Sequence, residues 1–346
     1  MQTGKLSPDV LQRLVLGRLG RRRPEVLVGA ALGEDAAALA LDDPAGSGSA
    51  VVLTSDPITG AARNAGWYAV HVNCNDVAAM GAEPIGVLAT LLFPPSASER
   101  DVAQVMEDVD RAARELGIEV LGGHTEVAPG LQTSLIAMTA VGRARPDRIL
   151  ASRNARAGHD LVLTKAAGLE GTAILATDLA DRLRARVADD VLVRARAFIA
   201  EISVVRDGRL AAELGAAALH DPTEGGLLGA VWELAEAAGL GYQIDAAAVP
   251  IRPETRAICA ALGADPLKLI SSGALLAAGP DGRALVAGLR AGGVEATVIG
   301  RLTDDPDRWL ADGPERWLVD GPARRPLGPV VRDELWRILD EAMKDG

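Results

Sequence analysis

Three acidic motifs in the first half of the chain could do chemistry: Gly33-Glu34-Asp35-Ala36-Ala37, Thr54-Ser55-Asp56-Pro57, and Asn75-Asp76-Val77-Ala78-Ala79-Met80-Gly81-Ala82-Glu83-Pro84. Each sets a carboxylate at the edge of an apolar element, where a buried anion is costly unless a cation sits against it. Mg²⁺ carrying a polyphosphate suits such a set, because it takes a few carboxylates and fills its other positions with phosphate oxygens and water. Asp35, Asp56 and Asp76 are therefore candidate metal ligands, and ATP with Mg²⁺ the candidate cofactor. Taken singly, Asp35 and Asp56 also read as turn residues that bond nearby amides. Asp76 does not: it lies in a run of Ala, Val and Met with Asn73 one helical turn back, and a lone buried Asp is rare.

Further along, Gly122-Gly123-His124-Thr125-Glu126 follows a short apolar run, and Lys165-Ala166-Ala167-Gly168-Leu169-Glu170-Gly171 follows another. Glycines there could bring backbone close to a phosphate or take positive φ, and a plain turn accounts for them equally. Asp221-Pro222-Thr223-Glu224 has Asp at an N-cap, Pro at the first helical position and Glu at the third, a complete helix start by residue type alone. With Gly225-Gly226 beside it, the same helix end could also take an anion, and the two readings are compatible. No GxxxxGK[ST] or GxGxxG cradle is present. Cys74 and Cys259 form no CxxC pair, and Cys74 reads as a buried thiol.

The elements that must place these residues follow from patterning. Ser7-Pro8-Asp9 starts a helix whose apolar face is Val10, Leu11, Leu14 and Val15, stopped by Gly20. Residues 50–55 form a strand that delivers Asp56, and a helix from about Asn64 to Met80 carries Asn73 and Asp76. A strand over 85–93 ends at Pro94-Pro95, and Ser98 with Asp101 caps a helix through Leu116. Short strands cover 118–121 and 133–142. Arginines 143, 145, 148, 153 and 156 among Pro146, Asn154 and Gly158 mark a domain boundary near 150. Beyond it come strands at 160–164, 241–245, 274–278 and 294–300, helices at 253–262 and 281–291, and a closing amphipathic helix. Strands and helices mix without strict βαβ alternation, so the fold class is α+β.

At 346 residues, with 49% hydrophobic and 24% charged, the chain fits two ordinary globular domains. A net charge of -11 argues against a nucleic-acid partner. The N-terminus lacks a signal pattern and no apolar run reaches membrane-span length, which predicts a cytoplasmic protein with no membrane partner.

Gly33–Ala37, Thr54–Pro57, Asn75–Pro84, Gly122–Thr125, Asp221–Gly226 and Ile270-Ser271-Ser272-Gly273 come in the order found in the aminoimidazole ribonucleotide (AIR) synthetase superfamily. The chain resembles it over most of residues 4–302, and within it the HypE-like AIR-synthase-related proteins in particular. The resemblance implies a two-domain PurM-like fold. Residues 1–150 would form an N-terminal domain that pairs with its copy as a dimeric β-barrel. Residues 151–346 would form a C-terminal α+β sandwich with a helical extension. It implies ATP·Mg bound between the domains of a homodimer, and phosphoryl transfer to, or ATP hydrolysis against, a small amide, carbonyl or phosphate-bearing substrate, which could be a small molecule or a protein. By position, Asp35, Asp56, Asp76 and Asp221 correspond to metal ligands. Glu34, Asn73, Gly122, Gly123, Thr125, Gly168, Gly171, Asp221 and Thr223 fall at nucleotide-facing positions, and Lys5, His124, Lys165 and Glu170 at places near the transferred phosphate.

The departures count too. The chain ends Lys344-Asp345-Gly346 where the dehydratase of this superfamily ends in a cysteine. Ser272 stands where that enzyme has an acid, and its glycine-rich N-terminal loop is missing; all three weigh against protein-thiocarbamate dehydration. The absence of a Cys-x-x-Lys element weighs against selenophosphate synthesis. His124 replaces an acid, which bears on the number of metal ions. The alternatives are an ATP-binding maturation or regulatory protein without rapid catalysis, and a thiamine-phosphate kinase.

Overall fold

The computed structural model of the protein describes residues 7–16, 18–19, 23–41, 48–58, 63–304 and 316–344. Two mixed sheets organise it. The first holds β1 (Val26–Val28), β2 (Ala37–Ala40), β3 (Ala50–Ile58), β4 (Glu83–Phe93), β5 (Glu119–Val127) and β6 (Leu135–Ala144), in the spatial order β1-β2-β3-β6-β4-β5. The second holds β7 (Asp160–Thr164), β8 (Ala218–His220), β9 (Gly241–Asp245), β10 (Leu276–Gly279), β11 (Ala296–Thr303), β12 (Arg316–Asp320) and β13 (Ala323–Pro326), in the order β13-β12-β9-β11-β7-β10-β8. Pairing is antiparallel except for β4 with β5 and β9 with β12. The α-helices are α1 (Pro8–Leu11), α2 (Ala65–Ala79), α3 (Glu99–Leu116), α4 (Leu169–Asp178), α5 (Ala180–Leu183), α6 (Asp189–Ala197), α7 (Val205–Glu213), α8 (Gly226–Ala238), α9 (Pro253–Leu262), α10 (Gly282–Ala291) and α11 (Glu334–Lys344). The α+β reading holds.

Helix α2 is the centre of the first half. It is mostly apolar, with His71, Asn73, Asn75 and Asp76 as its polar exceptions, and every residue from Gly66 to Ala79 is buried. One side lies on β3 and β6, the other against α3 and α7. Two missing side chains let it seat. A Cβ at Gly66 would stand 2.4 Å from the Val105 carbonyl oxygen of α3, and one at Gly142 of β6 would stand 2.2 Å from Val77 Cγ1. Helix α3 starts as the sequence predicts, with the Ser98 amide donating to Asp101 Oδ2 at 2.7 Å. The core runs from β3 and β6 through α2 to α4, α6 and α9.

Three expectations change. Gly122 to Glu126 do not leave a strand; they lie inside β5, paired with Leu88 to Leu92 of β4. Gly123 is required there, since its φ is +143° and a Cβ would fall 1.8 Å from the Ala89 carbonyl oxygen. Asp221-Pro222-Thr223-Glu224 does not start a helix either. Gly225 and Gly226 turn through φ of 88° and 61°, and α8 begins only at Gly226, so Asp221 remains in the extended exit from β8. The N-terminal helix is a single turn followed by a π-helical stretch, Gln12–Leu16, that leaves Leu14 and Val15 exposed. Gly20, the expected stop of that helix, lies outside the described residues. Among those described, no helix is long and apolar enough to cross a membrane. On the outer side of β4 and β5, Ile85, Leu88, Leu121 and Val127 are exposed.

His71 of α2 is buried against the Trp67 ring, 3.9 Å between centroids, with Nε2 3.4 Å from Glu115 Oε2. Burial outweighs that carboxylate and lowers the imidazole pKa to about 4. The unfolded chain takes up this proton near pH 6.5 and the folded chain refuses it. Stability from this site is therefore present above pH ~6.5 and lost as pH falls toward ~4, by about 3 kcal/mol at most. Urea unfolding at pH 7 and pH 4.5 measures it: His71→Phe should lose markedly less stability across that interval than the parent chain.

Candidate functional site

A cleft of about 690 Å³ runs between the two sheets, and the carboxylates singled out in the sequence line it. Asp56 comes from the end of β3 and Asp76 from the buried face of α2. Thr54, two residues before Asp56 and therefore on the same face of the strand, serves both. Its hydroxyl stands 2.7 Å from Asp76 Oδ2 and 3.3 Å from Asp56 Oδ2. Asn73, fully buried, fixes Asp56 from the helix side: its Oδ1 accepts from the Asp56 amide at 2.9 Å, and its Nδ2 donates to the Asp56 and Ala69 carbonyls. Asn73 thus holds a strand end and is not in the cleft lining. Asn75 does the same on the far side, donating to the Ile202 carbonyl at 2.9 Å and accepting from the Val204 amide at 2.8 Å.

Asp35 reaches the cleft by a different device. Gly33, at φ +73°, lets its loop press on α8, where a Cβ would lie 2.1 Å from the Glu233 carbonyl oxygen. That contact brings Asp35 Oδ1 onto Nδ1 of His220 at the end of β8, while His220 Nε2 stands 3.2 Å from Glu233 Oε2. Burial disfavours the imidazolium, yet Asp35 and Glu233 together raise its pKa to about 10. Glu34 turns the other way. It accepts from the Ser152 amide at 3.1 Å, with Arg153 Nη1 at 3.7 Å, and burial still holds its carboxyl above the ordinary range.

Asp221 follows His220 and is 1% exposed. Burial first, then the Asp35 anion, push its carboxyl up to about 7, with His220 pulling the other way. Asp76 is pushed well above its usual value by burial and then by Asp221 and Asp56. Asp35, Asp56, Asp76 and Asp221 thus face one another with a single imidazolium among them, and Asp221 Oδ2 is buried without a hydrogen-bond partner. A hard dication would relieve that repulsion, so the donor chemistry fits Mg²⁺. Among the described residues, no three His, Cys, Asp or Glu side chains are grouped to hold an ion by themselves. The fitting cation is therefore one that brings phosphate and water oxygens as its remaining ligands.

The other sequence candidates scatter. Glu170 and Thr223 line the cleft. Glu170 is 4% exposed on α4, and burial raises its carboxyl to about 7. Ser272 beside it opposes that rise, although Ser272 Oγ and Glu170 Oε2 both stay outside hydrogen-bond geometry. Lys165 turns away from the cleft: Nζ donates to the carbonyls of Glu201, Ser203 and Gly273 at 3.2, 2.8 and 2.7 Å and pairs with Asp207 at 2.9 Å. The amides of Gly168 and Gly171 are taken by Ser271 Oγ and the Ile270 carbonyl, and Gly171 is packed under Leu269. Gly122, Gly123, His124 and Thr125 sit on the exposed β5 edge, where His124 Nε2 is 3.1 Å from Glu126 Oε2. None of these lines the cleft. Lys5 lies outside the described residues. Cys74 and Cys259 are buried, with thiols pushed up to about 12.

The sequence reading missed Thr54, His220 and Glu233. A Thr two residues before a strand-end Asp is a usable signal for the first; the other two are joined to Asp35 only by the fold.

Comparison with known proteins adds a frame. The family of AIR synthase related proteins matches twice, its N-terminal domain over residues 33–144 and its C-terminal domain over 156–309. Carbamoyl dehydratase HypE of Azotobacter vinelandii is 33% identical over 251 residues, 71% of each chain. The protein of that name from Cupriavidus necator is 31% identical over 284 residues, 79% of this chain and 78% of its own. A crystal structure of hydrogenase maturation protein HypE in complex with ATP superposes with a TM-score of 0.71 at 25% identity, covering 96% of this chain and 97% of that one.

Removing the imidazole should expose the charge problem that it solves. His220→Ala is expected to destabilise the fold by roughly 3–5 kcal/mol, because buried carboxylates lose their countercharge. His220→Ala combined with Glu233→Gln should recover part of that loss. Urea unfolding of both variants at pH 7 checks it, and equal losses would make packing the cause.

Proposed function

The chain belongs to the AIR synthase related protein family, and on that footing we propose an ATP- and Mg²⁺-dependent enzyme. It transfers a phosphoryl group to, or hydrolyses ATP against, a small amide, carbonyl or phosphate-bearing substrate. The observation that carries this reading is the convergence of Asp35, Asp56, Asp76 and Asp221, from both halves of the chain, on one cleft. Mg²⁺ held there by two or more of them would carry the triphosphate and neutralise charge that develops as the γ-phosphoryl group moves. Thr54 and Asn73 keep Asp56 and Asp76 in place, and His220 fixes Asp35. Glu170, on the same wall with a carboxyl near neutral pKa, is the candidate proton acceptor. Similarity to carbamoyl dehydratases supports an acceptor with a carbonyl or amide oxygen.

Two domains, 1–150 and 151–346, complete the proposal. The first pairs with its copy along the β4–β5 face as a β-barrel. The exposed apolar side chains Ile85, Leu88, Leu121 and Val127 support that pairing, which would also bring His124 and Thr125 toward a shared site. A protein of this kind works in the cytoplasm. The engagement of Lys165 by three carbonyls and Asp207 favours one second reading, an ATP-binding maturation protein with slow chemistry.

Calorimetry tests the core of this. ATP should bind with heat that depends on Mg²⁺, and Asp76→Asn should weaken that binding about ten-fold or more, ~1.4 kcal/mol. Identical ATP titrations with and without a chelator would overturn the metal assignment. Steady-state ATP turnover across amide and carbonyl compounds then separates the enzyme from the slow binder.

A further inference from the structure

Asp221 Oδ2 is buried without a hydrogen-bond partner, so the place of that carboxylate depends on its backbone. Upstream the backbone is fixed by β8, where His220 pairs with Leu276 of β10. Downstream it runs through Pro222 to the Gly225-Gly226 turn, and Thr223 and Glu224 on that stretch also line the cleft. The turn is pressed closely. A Cβ at Gly226 would lie 2.6 Å from the Leu269 carbonyl oxygen, and one at Gly225 would lie 3.3 Å from Val330 Cβ. What fastens it is Asp333, 108 residues away, whose Oδ2 accepts from the Gly225 amide at 2.6 Å.

Asp333 immediately precedes α11, and its Oδ1 accepts from the Leu335 amide at 2.7 Å. That bond is an ordinary helix N-cap. The bond to Gly225 is not, because a cap has no need of an amide from a distant part of the chain. Asp333 is 3% exposed. Burial raises its carboxyl to about 7, and the amides of Leu335, Gly225 and Ile270 all oppose the rise. One side chain thereby gathers three segments of the cleft wall: Thr223 with Glu224, Ile270 with Ser272, and Leu335 with Trp336.

We propose that Asp333 is a positioning residue for the Mg²⁺ site, holding the turn after Asp221 so that the Asp221 carboxylate stays in the cleft with Asp35, Asp56 and Asp76. The inference rests on the function proposed above and gives the C-terminal segment a part in it. Asp333 does not itself line the cleft; it acts through backbone. Without its carboxylate, the buried Gly225 amide loses its acceptor, and the turn is released a few residues past the ligand.

The test is a calorimetric Mg²⁺ titration of the full chain in the presence of a non-hydrolysable ATP analogue, with folding checked by thermal unfolding. Asp333→Ala should need about ten-fold more Mg²⁺ for half-saturation. Asp333→Asn, with one side-chain oxygen for two amides, should fall between it and the parent. In an Asp221→Asn background, Asp333→Ala should change the Mg²⁺ requirement by less than about two-fold, because the carboxylate it positions is gone. Leu285→Ala, in the core of α10 and outside the cleft lining, measures the effect of stability lost elsewhere and should leave the midpoint unchanged. An unchanged midpoint in folded Asp333→Ala, or in Asp333→Asn if the first variant does not fold, would sink the assignment. So would additive effects in the double variant, which would make Asp333 a cap and nothing more, or an equal shift in Leu285→Ala. A parent chain that takes up no Mg²⁺ with the analogue strikes the proposed function itself, so the two failures are distinct.

Discussion

Like charges must be kept together in a place with little water, and much of the surrounding structure exists to do it. Asp35, Asp56, Asp76 and Asp221 would separate if their backbones could move, because each gains by distance from the others. Asp35, Asp56 and Asp76 are therefore tied. The Thr54 hydroxyl bridges Asp56 and Asp76. Asn73 holds the Asp56 backbone by its amide and carbonyl. His220, braced by Glu233, takes one oxygen of Asp35. Helix α2 is wrapped on all sides so that Asp76 cannot turn to solvent. On the function proposed, Mg²⁺ and a triphosphate would draw affinity from this repulsion, since the ligand would relieve what the fold maintains.

The same logic shows why the site spans both halves of the chain. Asp35, Asp56 and Asp76 belong to the first sheet and its helix, while Asp221, His220 and Glu233 belong to β8 and α8 of the second. The countercharge for an N-terminal carboxylate thus lies on a C-terminal strand. Asn75 adds a neutral link of the same kind, joining α2 to the backbone around Ile202 and Val204. Neither half holds the cleft alone.

Much of this was legible in the residues. A carboxylate in a run of Ala, Val and Met had to be buried and had to have a partner, and Asp76 is and does. The capping box at Ser98, the strand into Asp56 and the buried thiol of Cys74 read correctly for similarly local reasons. What failed was local signal that distant chain overrides. Asp221-Pro222-Thr223-Glu224 has the composition of a helix start, but two left-handed glycines postpone the helix and leave the carboxylate to the cleft. Gly122-Gly123 looks like a turn because nothing nearby in sequence reveals the Ala89 backbone that crowds it. Lys165 after a strand resembles a phosphate ligand, and three carbonyls from remote segments claim it instead. Glu170 lost none of its interest, whereas the glycines on either side of it serve packing.

The seat of Gly33 against α8 leaves no slack. A side chain there would overlap the Glu233 carbonyl, so the loop rests on the helix backbone itself. Asp35 sits two residues further on. A shift of α8 would therefore be felt at once by the loop that carries Asp35, and the width of the cleft on that side is set by a backbone-to-backbone contact with no side chain to yield.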